Sequence, residues 1–251
     1  MVSKLLIADS ETCPDLLWAT GFHVPDPVIY FEKGKKNYLA VSDLEYSRAR
    51  KESNVDVVIP LSRYSGGKGG FIGLLAVVLR KEKIGSVAVP SYTPAQIVDG
   101  LRKQRFKVQV LPDPFFPGRV FKTAVEKKNI VASLKATEGG IAQARKVLEK
   151  SRIRNGFIVY KGKKLTSEFL KQVINGYLFE RGYLGRQTIV AGGAQGADPH
   201  CRGTGLLKAH QPIVIDVFPR SETTGYHGDI SRTFVKGKAT DKVRKMHQAV
   251  R

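Results

Sequence analysis

The stretch Gln211–Phe234, QPIVIDVFPRSETTGYHGDISRTF, places two carboxylates on one local unit. It reads as an apolar strand, a turn-rich connection and a second strand. Asp216 directly follows Ile213-Val214-Ile215, and a charge in such a run is costly to bury without a partner. Asp229 follows Gly225-Tyr226-His227-Gly228 at the start of the next strand. If the strands pair as a hairpin, both carboxylates can face one point, where they repel unless a proton or a cation lies between them. The bland alternative is a pair of turn aspartates with local hydrogen bonds. Upstream, in IVAGGAQGADPH, stands His200. His and Asp side chains together suit Mn²⁺, Zn²⁺, Fe²⁺ or Co²⁺.

Residues 1–125 alternate short β-branched runs with helical patterns. Strands are predicted at Val28–Glu32, Asn37–Val41, Val55–Ile59, Ser86–Val89 and Lys107–Val110. Helices are predicted at Asp43–Lys51, Gly70–Lys83 and Pro94–Gln104, with Asp43 capping the first and Thr93-Pro94 opening the third. Such alternation indicates an α/β domain, closed by PDPFFPG at Pro112–Gly118. Gly66-Gly67-Lys68-Gly69-Gly70 invites a phosphate-loop reading, but Gly69 stands where Ser or Thr should follow Lys68, so a plain loop before a helix is expected. Trp18, the one tryptophan, is read as a core or interdomain aromatic.

Residues 120–150 read as a linking helix or helix pair, and 166–182 as an amphipathic helix opened by Thr166 and ended by Gly182. A strand follows at Ile189–Ala191. The glycine-rich run after it is not GxGxxG and no βαβ unit surrounds it, so dinucleotide binding is not expected.

The 251 residues are 42% hydrophobic and 25% charged, a globular balance large enough for two domains. No run is long and apolar enough for a transmembrane helix, and no secretory signal is read at the N-terminus. Two distant cysteines, Cys13 and Cys201, fit a reducing cytoplasm better than a disulfide framework. The net charge of +20 divides unevenly. Residues 1–125 carry 18 Lys+Arg against 12 Asp+Glu, and residues 126–251 carry 24 against 10. The excess falls in short patches, KGKK at 161–164 and Lys236–Lys245 being the densest, and no nucleic-acid motif accompanies it. A solvated basic surface is therefore expected, with nucleic acid and membrane set aside as partners.

The C-terminal half resembles the pita-bread metallopeptidases, the family of Xaa-Pro aminopeptidase, prolidase and methionine aminopeptidase. The matching residues are Pro199-His200, Val214-Ile215-Asp216, Gly225-Tyr226, Asp229-Ile230-Ser231-Arg232-Thr233-Phe234 and Gly237. The N-terminal half resembles the creatinase-type domain of the proline-directed branch, through Pro14–Trp18, Thr20-Gly21-Phe22 and Tyr38–Ser42. The resemblance implies an α/β fold: a creatinase-like N-terminal α/β domain over 1–125, followed over 126–251 by the first half of a pita-bread α+β catalytic domain. It implies metal-dependent cleavage of Xaa-Pro peptide bonds with two divalent ions, Mn²⁺ foremost and Co²⁺, Zn²⁺ or Fe²⁺ as alternatives. By the same resemblance Asp216 would chelate one ion and Asp229 would bridge both. His200 would contact substrate, and Arg232 and Thr233 would support the hairpin and the Asp229 carboxylate. The substrate would be a peptide with proline at the second position, and the protein a homo-oligomer.

Two details depart from the family pattern: a longer connection over Val217–Gly228, and Ser231 in place of the more usual Thr. The family completes its site with a His and two Glu beyond this hairpin, and no Glu follows Glu222 here. The expectation is a fragment of a longer enzyme, with weak metal binding and no turnover by these 251 residues alone. A creatinase-like amidinohydrolase and a catalytically inactive module binding protein or nucleic acid are the competing readings. Retention of both aspartates speaks against each.

Overall fold

A computed structural model of the chain describes residues 2–64 and 69–250. These form two compact units, Met1–Phe121 and Lys122–Arg251. The border lies four residues before the position 125 of the sequence reading.

In the first unit β1 (Ser3–Ala8) is followed by α1 (Pro14–Thr20), β2 (Val28–Lys33), β3 (Lys36–Val41), α2 (Asp43–Glu52) and β4 (Val57–Pro60). Then come α3 (Gly70–Lys81), β5 (Ser86–Pro90), α4 (Ala95–Lys103) and β6 (Lys107–Leu111). The strands form one six-stranded sheet in the order β4-β3-β2-β1-β5-β6. Strand β1 runs parallel to β5 and antiparallel to β2, with Leu5 opposite Phe31 and Leu6 opposite Tyr30. Alternate side chains of a strand face opposite sides, and the core divides accordingly. Leu5, Ile29, Phe31 and Ala40 pack with Leu75, Leu79 and Leu101 of α3 and α4. Leu6, Val28, Tyr30, Leu39 and Val41 pack on the other face with Leu16, Ala49, Phe115 and Phe116.

Strand β1 is absent from the sequence reading, which saw only a non-signal N-terminus in it. PDPFFPG does more than break periodicity, because Phe115 and Phe116 are buried. Trp18 stays 39% exposed, its ring centroid 5.4 Å from that of Phe116. Two caps differ from expectation. Ser42 and Pro94, rather than Asp43 and Thr93, hold the N-cap positions of α2 and α4. Asp43 instead accepts from Ser62 Oγ at 2.6 Å. The phosphate-loop-like run lies outside the described residues at 66–68.

In the second unit α5 (Ala124–Lys150) leads to a meander of β7 (Arg152–Arg154), β8 (Phe157–Tyr160) and β9 (Lys163–Lys164). Next come α6 (Ser167–Phe179), β10 (Tyr183–Leu184), β11 (Ile189–Gly192), β12 (Pro212–Val217), β13 (Arg220–Ser221), β14 (Ile230–Val235) and α7 (Asp241–Ala249). Helix α5 is one uninterrupted helix, not a pair. It starts with a full capping box, Thr123 with Glu126. Gly139 and Gly140 lie in its interior, on the side that α6 approaches. A Cβ on Gly139 would strike the Tyr177 ring, and one on Gly140 would lie 3.3 Å from Ile174 Cγ2. The pair therefore brings the two helices close rather than ending one. Helix α6 begins at the N-cap Thr166, whose hydroxyl accepts from Phe169 N. It ends earlier than expected. Glu180 is the C-cap, and Gly182, at φ +73°, makes the turn beyond. Strands β11, β12 and β14 form an antiparallel sheet in that order. Ile213, Ile215 and Val217 are fully buried against α5 and α6, together with Ala144, Leu148, Ile174 and Leu178.

Candidate metal-bearing hairpin

Strands β12 and β14 pair from Pro212↔Val235 to Val217↔Ile230, with Asp216 opposite Ser231 and Val214 opposite Thr233. The same register continues past the strands. Gly228 N donates to Pro219 O at 3.0 Å, Arg220 bridges to His227, and Ser221 N donates to Tyr226 O at 2.9 Å. Asp229 therefore lies inside one long antiparallel ladder, flanked by Gly228 and Ile230. Paired residues, and residues two apart, share a face of a sheet. Asp216, Ser231, Asp229 and Thr233 thus lie on one face, opposite the one that buries Ile213, Ile215 and Val217. Asp216 and Asp229 are diagonal neighbours there, a relation that puts Cα atoms about 7–8 Å apart.

The surroundings of the two carboxylates differ. Asp216 is half-buried and accepts from Ser231 Oγ at 2.5 Å, while Asp229 is exposed. Neither carboxylate has an ion pair among the described residues. Carboxylate oxygens are the hard donors that divalent ions prefer, so the donor type fits. The donor number is partial, since among the described residues no group of three or more His, Cys, Asp or Glu converges.

His200 follows the turn Gly193–Ala197, which packs on β12. Gly196 lies on Val214, where an added Cβ would be 3.0 Å from Val214 Cγ2, and Val214 shares the carboxylate face. The loop beyond is held by Gln195, whose amide donates to Thr204 O and accepts from Thr204 N, both at 3.1 Å. Within it Asp198 Oδ1 accepts from His200 N at 3.1 Å, leaving the imidazole exposed. Gly203, at φ +74°, runs so close to β11 that a Cβ would collide with the Val190 carbonyl. Thr233 is exposed on the carboxylate face. Arg232 is not brought to Asp229. It has the parity of Ile230 and Phe234, pairs with Ile215, and its Nη1 donates to the Ser231 carbonyl at 2.8 Å. His210 lies at the far end, accepting from Lys238 N at 3.0 Å, and His227 is exposed on the hairpin arm.

A second set of residues, not singled out from the sequence, fixes the arm that precedes Asp229. Tyr226 donates its hydroxyl to Glu126 Oε1 at 2.9 Å, and Ser133 Oγ donates to the Tyr226 carbonyl at 3.1 Å. Gly228 is buried on α5, where a Cβ would lie 2.5 Å from the Ser133 carbonyl and closer still to Thr137 Oγ1. The Thr123 amide is the main influence holding the Glu126 carboxyl below its ordinary value. Burial opposes it, and the Thr123 hydroxyl, Tyr226 and the Lys122 charge assist. The signal was in the sequence as Thr123-x-x-Glu126, a capping box, but its second use as an anchor for the hairpin was not.

Residues 128–251 match metallopeptidase family M24. The match covers just under half of the chain. Similar solved structures include the prolidase from Pyrococcus horikoshii OT3, 19% identical with a TM-score of 0.75 over 100% of this chain and 65% of that one. The prolidase from Pyrococcus furiosus gives 17% and 0.76 over 100% and 66%. The X-Pro aminopeptidase from Thermotoga maritima MSB8 gives 19% and 0.76 over 100% and 67%. The chain thus spans about two thirds of the length of the structures it matches. No curated protein sequence matches it. The fold is accordingly that of these prolidase and aminopeptidase structures, a creatinase-like α/β domain followed by the first half of the pita-bread α+β domain.

Proposed function

We propose that the encoded protein is a metal-dependent peptidase cleaving Xaa-Pro bonds, an aminopeptidase or dipeptidase. The observation that carries the reading is the placement of Asp216 and Asp229 on one open face of an M24-family hairpin, with no ion pair from either among the described residues. Asp216 would hold one divalent ion and Asp229 would be shared between two. Mn²⁺ is the first choice, with Co²⁺, Zn²⁺ or Fe²⁺ as substitutes. When bound, such ions polarise the scissile carbonyl and lower the pKa of water.

The chain's own residues orient that chemistry. Ser231, donating to Asp216, fixes the rotamer of the first carboxylate. Thr233 lies in line with it on the same face, while Arg232 acts on the strand backbone through the Ser231 carbonyl. His200, exposed on a loop braced by Gln195, would donate a hydrogen bond to the oxygen on which negative charge develops. The two carboxylates are a partial donor set, so weak metal binding is expected of these 251 residues by themselves. Residues 1–125 and 126–251 are assigned as the N-terminal and catalytic domains. The working compartment is assigned as the cytoplasm and the assembly as a homo-oligomer.

The test is hydrolysis of an Xaa-Pro dipeptide and of a longer Xaa-Pro peptide by the encoded protein, including any residues encoded beyond Arg251, with each of the four metals. Activity lost in Asp229→Ala together with metal binding, but lost in His200→Ala with metal binding kept, is the expected pattern. A protein that binds metal tightly yet cleaves neither peptide would overturn it.

A further inference from the structure

Between Glu149 and Glu168 the chain carries Lys150, Arg152, Arg154, Lys161, Lys163 and Lys164 and no carboxylate. In sequence these are scattered short patches. The meander gathers them. Arg152, Val159 and Lys164 lie in one register row, and Arg154, Phe157 and Lys208 in the next. Rows two residues apart share a face, so Arg152, Arg154, Lys164 and Lys208 surround Phe157 and Val159 on a single side. The alternate residues Ile158 and Tyr160 turn to the core on the other side.

All four cations are exposed, and among the described residues none of them has an ion pair. Lys164 Nζ lies 4.2 Å from the centroid of the half-buried Phe157 ring. The face is therefore cationic at its corners and aromatic at its centre.

We propose that this face of the β7–β8–β9 meander binds single-stranded nucleic acid. The four cations would take successive phosphates, and the Phe157 ring would receive a base once Lys164 swings to a phosphate. A cationic surface with an aromatic platform is the general solution for unpaired strands, because every base has a face to stack. Duplex DNA fits less well, since reading a major groove needs a protruding helix or ribbon. A lipid surface fits less well too, because Phe157 and Val159 are half-buried while the four cations around them are exposed. The inference is independent of the peptidase reading.

The experiment is fluorescence anisotropy of a labelled oligouridylate with the protein between 50 and 200 mM salt. Four phosphate contacts on a single strand give a slope of log K against log salt of about −2.8, or roughly a 50-fold loss of affinity across that range. Arg152→Gln, Arg154→Gln and Lys164→Gln combined should flatten the slope to about −0.7. Phe157→Leu should weaken binding by roughly fivefold or more and leave the slope alone. Lys35→Gln, Lys36→Gln and Lys51→Gln combined, which remove the same charge from exposed positions of the N-terminal unit, should change nothing. Circular dichroism verifies that each variant folds. Equal losses from both triple variants, equal competition by polyglutamate, or binding to anionic vesicles without binding to the oligouridylate would each overturn the proposal.

Discussion

Tyr226 donates its phenolic hydroxyl to Glu126 at 2.9 Å, joining the arm of the β12–β14 hairpin to the first turn of α5. Glu126 is at once the capping carboxylate of a 27-residue helix and the anchor of the segment that delivers Asp229. One side chain thus couples the start of the domain to its candidate metal face. Glu126→Gln and Tyr226→Phe should each cost about 1 kcal/mol, the usual worth of a cap or a net hydrogen bond. Their effects should also be non-additive, as expected for residues in contact. A double-mutant cycle from urea unfolding measures this.

The same carboxylate gives a pH signature. Its folded pKa lies below the ordinary value, chiefly through the Thr123 amide. A group depressed in the folded state contributes its stability above the unfolded pKa and loses it as pH falls through the folded one. Wild type should therefore lose more stability than Glu126→Gln between pH 6 and pH 3, roughly the window in which a carboxylate titrates. Parallel curves for the two proteins would remove Glu126 from the acid response.

Gly228→Ala tests the close approach of the hairpin to α5. The new methyl would meet the Ser133 carbonyl and Thr137 Oγ1, one of them backbone and neither able to swing far. Overpacking of this kind costs about 1–3 kcal/mol, and it should displace Asp229 as well. The melting temperature reads the first effect. Titration with Mn²⁺ reads the second, as weaker binding.

Ser231→Ala removes the hydroxyl that orients Asp216. Loss of such a supporting contact lowers metal affinity about 10-fold or more. Ser231→Thr, which keeps the hydroxyl, should restore it. Calorimetric titration of the three proteins distinguishes an orienting role from a merely structural one, because the fold should melt at nearly the same temperature in each.

In the N-terminal unit Asp15 is buried and pairs with Arg119 at 2.5 Å, with the Tyr92 hydroxyl as a further donor. Removing one partner of a buried pair leaves a charge uncompensated, at a cost of roughly 3–5 kcal/mol. Arg119→Met should approach that loss, softened by the partial exposure of the guanidinium. Asp15→Asn in the same chain should recover part of it. Thermal denaturation of the single and double variants gives the comparison.

The sequence made some of these relations legible and hid others for physical reasons. Asp216 and Asp229 could be linked because a charge closing an apolar strand is conspicuous, and a hairpin was the short way to join the two strands. The faces within that hairpin depended on register, which no spacing supplies, so Arg232 looked like a neighbour of Asp229 and is instead on the reverse side. None of β7, β8 and β9 is read from the sequence, and for β7 and β9 the reason is that Arg152-Ile153-Arg154 and Lys163-Lys164 carry charge where a strand former is expected. Their pairing with β8, not their own propensity, makes them strands. Gly139 and Gly140 disfavour helix locally, and what they do instead is visible only in three dimensions, in the approach of Tyr177 and Ile174.

The inner position of β1 has a consequence for how the chain is made. Ser3 and Lys4 find their parallel partners only in Val87 and Ala88. At synthesis rates of about 5–20 residues per second, that edge of β1 waits roughly 4–17 s on the ribosome before its neighbour exists. Through that interval the strand offers unpaired backbone and the side chains of Leu5 and Leu6 to whatever is nearby. Slowing translation before codon 86 should therefore raise the aggregated fraction more than slowing it afterwards.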